Sequence, residues 1–324
     1  MRRLLVLVLL ILACPCYAQE LNLLAGAMRD SASQQSSYAW ALDYRHGLGE
    51  NLDFTLSWLN EGHVTDHHRD GQSAQLWGRT NVWDRHLSLA VGAGPYRYYD
   101  TTGATTGTGF TDAHGWGGIF SVAATYYTDG PWLFELRANR VITHDSIDTT
   151  SVLAGVGYQL ERPPTPGPYA VAPHQTENTT PGSELTVLVG QTIVNSFQSD
   201  RNTAQAIEYR RGVSTHLDWT LSLLNEGDNR LIRRNGLITQ LWLAHAYFND
   251  RLALSAGVGP YFAIDKRRPP VAGEATNVPV SAMVTVSAAL RLSSRWSLRT
   301  EWDRVASHYN RDADVVLAGL GYRF

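Results

Sequence analysis

The sequence predicts an all-β chain: a transmembrane antiparallel up-and-down β-barrel in two eight-stranded repeats, closed either as tandem barrels or as one sixteen-stranded barrel. Three observations carry this. Apolar and polar residues alternate with period two in many short segments, the connections alternate between tight and long, and the second half of the chain repeats the first. Period-two alternation sends successive side chains to opposite faces of a strand.

At the N-terminus, Arg2 and Arg3 precede an apolar run from Leu4 to Ala13, and Cys16-Tyr17-Ala18 offers a small-residue cleavage site. Residues 1–18 read as a secretory signal peptide, too short to span a bilayer stably, cut after Ala18. Lipoprotein cleavage before Cys14 is disfavoured, because Leu12 stands where that processing site takes a small residue. Cys14 and Cys16 both lie in this leader, which excludes disulfides and cysteine-bound metals from the exported chain. No later run of about twenty apolar residues supplies a membrane helix. A net charge of −3 leaves no basic surface for nucleic acid. Ten Trp and fifteen Tyr suit a membrane interface, where one end of the ring meets lipid and the other water.

The duplication has one register. Asp43-Tyr44-Arg45 recurs as Glu208-Tyr209-Arg210, Leu59-Asn60-Glu61-Gly62 as Leu224-Asn225-Glu226-Gly227, Gln75-Leu76-Trp77 as Gln240-Leu241-Trp242, and Gly94-Pro95-Tyr96 as Gly259-Pro260-Tyr261. Leu153-Ala154-Gly155-Val156-Gly157-Tyr158 returns near the end as Leu317-Ala318-Gly319-Leu320-Gly321-Tyr322. The chain thus divides into a leader at 1–18, a first repeat at 19–160, a proline-rich linker at 161–183 and a second repeat at 184–324. Six prolines from Pro163 to Pro181 make the linker extended, since proline cannot donate to a sheet.

In the first repeat the strands fall near 20–30, 37–46, 51–62, 72–82, 86–99, 114–127, 131–142 and 149–160. In the second they fall near 184–195, 203–212, 216–227, 236–247, 251–264, 278–291, 295–306 and 312–324. Links after even strands are tight and links after odd strands are long, especially Asp100 to Ala113 and Asp265 to Asn277. Turns sorted to one end and loops to the other fit a barrel in an outer membrane. Facing agrees. Trp132, Phe134, Leu136 and Ala138 alternate with Leu133, Glu135, Arg137 and Asn139, while Leu52, Phe54, Leu56 and Trp58 alternate with Asp53, Thr55 and Ser57. The apolar set faces lipid, because a charge on that face costs about 2–4 kcal/mol near the midplane.

On these residues the chain resembles the small eight-stranded outer-membrane proteins of the OmpX type. The final run, Val315-Val316-Leu317-Ala318-Gly319-Leu320-Gly321-Tyr322-Arg323-Phe324, is similar to their closing strand, which ends in an aromatic. The resemblance implies an outer-membrane location in a Gram-negative cell, contact with outer-membrane lipids, and a terminal signal read by the outer-membrane assembly machinery. The first repeat ends Gly157-Tyr158-Gln159-Leu160, without that aromatic, as suits an internal strand.

Inward parity collects Asp43, Arg45, Asp53, Arg79, Glu135 and Arg137 in the first repeat, and Glu208, Arg210, Asp218, Arg299, Glu301 and Asp303 in the second. Glu135 aligns with Arg299 and Arg137 with Glu301, so the signs swap while the pair survives. Paired charges suggest a packed plug, because a buried charge that loses its partner is strongly destabilising. A long linker also suits separate barrels better than one sixteen-stranded pore. Glu61 and Glu226 end the third strand of each repeat and are expected to cap this network at the outer rim. Arg140 with His144 and Arg304 with His308 form a second matched rim set.

Two constellations suggest other chemistry. His144-Asp145-Ser146 is similar to the His and Ser of outer-membrane lipid A deacylases, but the acid expected about a dozen residues on is Tyr158, and the second repeat has His308-Tyr309-Asn310. His63, His67 and His68 with Asp66 and Asp70 in one outer loop carry zinc- or copper-ligating side chains, which the second repeat replaces with Asn229, Arg230, Arg233 and Arg234. Both read first as solvated loops. The functional expectation is an outer-membrane barrel with a structural or surface-interaction role through its outer loops, without enzymatic activity, cofactor, metal or nucleic-acid partner. A porin-like sixteen-stranded passive channel is the alternative, and a deacylase-like enzyme the third reading.

Overall fold

The computed structural model describes residues 19–103, 109–168, 182–214, 216–265 and 280–324. The leader expected over 1–18 and most of the linker, 169–181, lie outside them. The described residues form sixteen antiparallel strands. The first eight are β1 (Gln19–Asp30), β2 (Ser36–Gly47), β3 (Leu52–Val64), β4 (His67–Val82), β5 (Leu87–Gly103), β6 (Phe110–Tyr127), β7 (Trp132–Thr143) and β8 (Thr149–Gln159). The second eight are β9 (Ser183–Val194), β10 (Arg201–Ser214), β11 (Leu217–Asp228), β12 (Arg233–Tyr247), β13 (Leu252–Asp265), β14 (Val280–Arg291), β15 (Trp296–Ala306) and β16 (Ala313–Arg323).

Each set closes on itself. Strand β8 pairs back to β1, with Ala154 opposite Ala25, and β16 pairs back to β9, with Ala318 opposite Val189. These pairings rule out the sixteen-stranded closure, which would need β8 beside β9. The reason is local: β1 lies ready to take the free edge of β8, and an edge left open in hydrocarbon would strand its N–H and C=O groups.

Three strands run further than expected. Strand β4 begins at His67, β5 reaches Gly103 and β6 begins at Phe110. The loop expected over 63–71 is therefore a turn at 65–66, and most of the loop expected between Asp100 and Ala113 is hairpin. Beyond the bilayer both faces of a hairpin can be polar, so the ladder continues where the period-two signal fades. Described turns follow β2, β4, β6, β12 and β14 at 48–51, 83–86, 128–131, 248–251 and 292–295, so one end of each barrel is a short-turn end and the other a loop end.

The facing follows the alternation. On β7, Trp132, Phe134 and Leu136 are 52%, 53% and 56% exposed, whereas Leu133, Glu135, Arg137 and Asn139 are buried. On β3, Leu52 and Leu56 are exposed, but Trp58 is only 6% exposed: outward parity does not by itself leave a ring open.

The interiors are layered. Towards the short-turn end of the first barrel lie the charges of β2, β3, β4 and β7. Above them Leu24, Met28, Ala39, Ala41, Leu59, Ile119, Val141 and Leu153 form one buried apolar cluster. The second barrel repeats this with Leu188, Ala204, Ala206, Leu224, Ile238, Met283, Val305, Val315 and Leu317. The inverse rule, apolar out and polar in, thus holds for the outer face but for only part of the lumen. Eight strands enclose so little space that side chains fill it.

A ring fixes the width of each interior. Trp77 and Trp242 are fully buried and lie flat against Gly92 and Gly257, where an added Cβ would come 2.4 Å from the indole in both repeats. These strand glycines let the wall pass close to a large side chain.

At the short-turn end of the first barrel, the start of the linker is docked, not free. Pro163, Gly167 and Pro168 are buried. Gln159 Nε2 donates to the Gly167 carbonyl at 3.1 Å, and the Arg85 guanidinium donates to the carbonyls of Pro166 and Pro168 and to the Glu50 carboxylate. The hydrogen bond from Arg85 holds the Glu50 carboxyl below its ordinary range.

Two outcomes are expected. Gly92→Val or Gly257→Val drives a branched side chain into the indole, and overpacking of this kind costs about 1–3 kcal/mol or more; unboiled gel electrophoresis should show loss of the heat-modifiable folded form. A carboxyl depressed in the folded state contributes stability above its ordinary pKa and loses it as pH falls through the depressed value. A fluorophore on Thr165→Cys should therefore keep constant anisotropy from neutral pH down to about 5 and become mobile below about 4. In an Arg85→Gln background it should be mobile throughout.

Candidate functional site: ionic layers inside each barrel

All six charges expected inside the first repeat are buried and meet. Arg45 pairs with Glu135 at 2.7 Å, Arg137 with Glu135 at 2.6 Å and with Asp43 at 2.5 Å, and Arg79 with Asp53. Arg45 also faces Glu20 at 3.6 Å. Arg45 and Arg137 lie over the Trp77 ring, at 5.6 Å and 5.2 Å from its centroid. In the second repeat Arg210 pairs with Glu208 at 3.1 Å and with Asp218 and Glu301 at 3.6 Å, and lies 4.0 Å over Trp242. Arg299 takes Glu184 at 2.6 Å, and Glu184 also receives Arg323 at 2.8 Å. Asp303 joins through a hydroxyl: Gln240 donates to Thr285 at 2.9 Å and Thr285 to Asp303 at 2.6 Å.

Sequence reasoning missed Glu20 and Glu184, matched residues at the start of β1 and β9. Each had the inward parity of Leu24 or Leu188, but a lone charge at a strand end gave no pair to notice. Trp77 and Trp242 were visible only as repeated letters. The structure also shows why the swapped signs survive: Arg299 stands where Glu135 does in the first repeat and binds the equivalent of Glu20.

The rim expectation needs correction. Glu61 and Glu226 do not cap these networks. Eight residues separate Asp53 from Glu61, about 27 Å of strand, and the apolar layer lies between. Each glutamate instead builds a second node at the loop end. Glu61 accepts from Arg69 Nε at 2.6 Å, from the Tyr96 hydroxyl at 2.9 Å and from Thr149. Glu226 takes both Nε and a terminal nitrogen of Arg234, at 2.6 and 2.7 Å. Arg69 lies 5.8 Å over Tyr96, and Arg234 lies 6.0 Å over Tyr261. Arg69 and Arg234 both fell in stretches read as solvated loop, yet each is 1% exposed.

The Arg–His rim pairs do not form. His144 is 94% exposed on its side chain, and His308 is exposed. Arg140 reaches Asp148 at 3.4 Å and Thr150 at 3.2 Å, and Arg304 reaches Asp314 at 3.3 Å. A spacing of four brings side chains together on a helix, but spans about 13 Å on a strand.

His144 and Ser146 are likewise not partners. Ser146 Oγ donates to Asp100 at 2.7 Å and accepts from Arg69 at 3.1 Å, while His144 faces Asp145 at 3.9 Å. In the second repeat the Tyr309 hydroxyl serves Arg234 at 3.1 Å as Ser146 serves Arg69. The three histidines split: His67 turns inward, its Nδ1 2.7 Å from Asp100, whereas His63 and His68 face one another with ring centroids 3.7 Å apart. Asp66 sits in the turn with φ 62°. Among the described residues, no three His, Cys, Asp or Glu side chains converge to hold a metal.

No protein-family profile and no curated protein matches the sequence. Among solved structures, the chain is similar to the N-terminal β-barrel domain of Pseudomonas aeruginosa OprF, at 14% identity over 45% of this chain and 99% of that one, with a TM-score of 0.35. It is similar to Neisserial surface protein A (NspA) at 12% identity over 44% and 96%, with a TM-score of 0.36. The translocator domain of the autotransporter NalP from Neisseria meningitidis is matched over 100% of this chain and 94% of that one, at 12% identity and a TM-score of 0.21.

Breaking a loop-end node leaves a buried charge alone. Arg69→Met or Arg234→Met should cost about 3–5 kcal/mol, read as a lower urea midpoint in lipid vesicles. Arg69→Met combined with Glu61→Gln should cost less than Arg69→Met alone.

Proposed function

We propose that the protein is a pair of closed, non-conducting barrels in the outer membrane of a Gram-negative cell, with a structural or surface-interaction role carried by its loop ends. The observation that supports this is the sealed interior. In each barrel, charged, polar and apolar side chains fill the lumen that eight strands enclose. On this reading the short-turn ends face the periplasm and the loop ends face outward. The exposed apolar faces contact outer-membrane lipids. Strand β16 and Phe324 present the assembly machinery with a terminal aromatic strand.

The reading is not enzymatic and invokes no cofactor. Ser146 is engaged in orienting Arg69, and His144 lies away from it.

Planar-bilayer recordings of the purified protein should show no steady unitary current; large, stable steps would overturn the closed reading. Cell fractionation should recover the protein in the outer membrane, extractable only with detergent. Recovery as a freely soluble species would sink the membrane assignment itself.

A further inference from the structure

The loop-end hairpin β3–β4 carries a cross-strand pair of histidines, His63 and His68. Its counterpart in the second repeat, β11–β12, shows how the pair comes about. Both hairpins contain the same bulge. In the first, the register passes from Asn60 opposite Asp70 to His63 opposite His68; in the second it passes from Asn225 opposite Asn235 to Asp228 opposite Arg233. One extra residue on β3 and β11 reverses the side-chain parity beyond it. A glycine at positive φ makes the turn in each case, Gly62 at 64° and Gly227 at 81°, and each amide is held by the asparagine two residues before, at 3.0 and 2.8 Å.

The bulge thus delivers one cross-strand pair to the outside of each barrel. In the second repeat that pair is Asp228 with Arg233, 3.6 Å apart, opposite charges in the place where they attract. In the first repeat it is two imidazoles, with centroids 3.7 Å apart and planes inclined at 35°. Two bases that gain like charge on protonation are a poor structural replacement for an ion pair. They are a good ligand set: two nitrogens that bind one metal side by side at about 2.0–2.1 Å lie about 3 Å apart, and a rotation of these two rings about their side-chain bonds turns both nitrogens towards a shared ion.

The hairpin tip is also held in place. The His63 amide donates to Ser37 Oγ at 2.9 Å and the Thr65 amide to Gln35 Oε1 at 2.8 Å, while Tyr38 stands edge-on to His63 at 6.0 Å. His67, between the bulge and His68 in sequence, points into the barrel towards Asp100 and takes no part.

We propose that His63 and His68 form a two-imidazole site for a first-row transition-metal ion on the outer wall of the first barrel, water filling the remaining positions. Copper(II) binds most tightly, since imidazole suits it and it heads the affinity order of divalent ions. The site is independent of whether the barrels conduct.

The test is titration of the full-length protein in detergent with copper(II) at neutral pH, read by calorimetry and by the nitrogen couplings in its electron paramagnetic resonance spectrum. His216→Ala removes a second stacked imidazole pair, His216 and His245 at 5.6 Å, as background. In that background one copper with two coordinating imidazole nitrogens is expected. His63→Ala and His68→Ala should each weaken binding at least tenfold, and His67→Ala should leave it within twofold. The double variant His63→Asp with His68→Arg imports the second repeat's own pair; it should keep the heat-modifiable fold and lose the copper. Binding unchanged in His63→Ala and His68→Ala, equal loss in His67→Ala, or no binding to the parent protein would overturn the proposal.

Discussion

Closure of the wall is the constraint on which the rest of this structure depends. In hydrocarbon a strand has no water to satisfy its backbone, so every ladder must find a partner and the sheet must return to its first strand. Once β8 has paired with β1 and β16 with β9, the interior is fixed at eight strands. There is no further freedom to move charges elsewhere. The lumen must then accept whatever the inward parity brings, and it can do so only if those groups satisfy one another.

The layers show how that is achieved. Arginines lie on tryptophan rings and between carboxylates, so each guanidinium uses both its planar face and its edge. Each guanidinium meets its carboxylates on neighbouring or facing strands of its own barrel. Each node is therefore a local problem solved within a few strands.

Much of this was legible in the sequence, and the parts that were not have physical reasons. Alternation separates the exposed residues of β3 and β7 from the buried ones, Trp58 excepted, and Asp43, Arg45 and Glu135 lie on the buried side. The number of barrels was left open by alternation, because both closures use the same strands; the pairing of β8 with β1 decides it. Parity also failed beyond a bulge. His63 lies an even number of residues from Glu61, which should turn it inward, yet the extra residue at Gly62 turns it out. Arg140 and His144 recur as a matched set in both repeats, but four residues of extended chain hold them about 13 Å apart. Arg69 and Arg234 were hidden because stretches rich in charge look solvated, whereas a buried arginine is recognised only through its glutamate, tyrosine and hydroxyl partners, which lie on other strands.

The swapped charges of β7 and β15 have a consequence for assembly. Two eight-stranded units in one chain risk exchanging strands, since the backbone of each would accept the other's edges. If β7 took the place of β15, Glu135 would stand beside Glu184 and Arg137 beside Arg210, like against like in a medium that punishes it. Each unit is thereby made to reject the other's strand while accepting its own. Divergence in sign, with geometry preserved, acts as an identity mark that keeps twins from fusing.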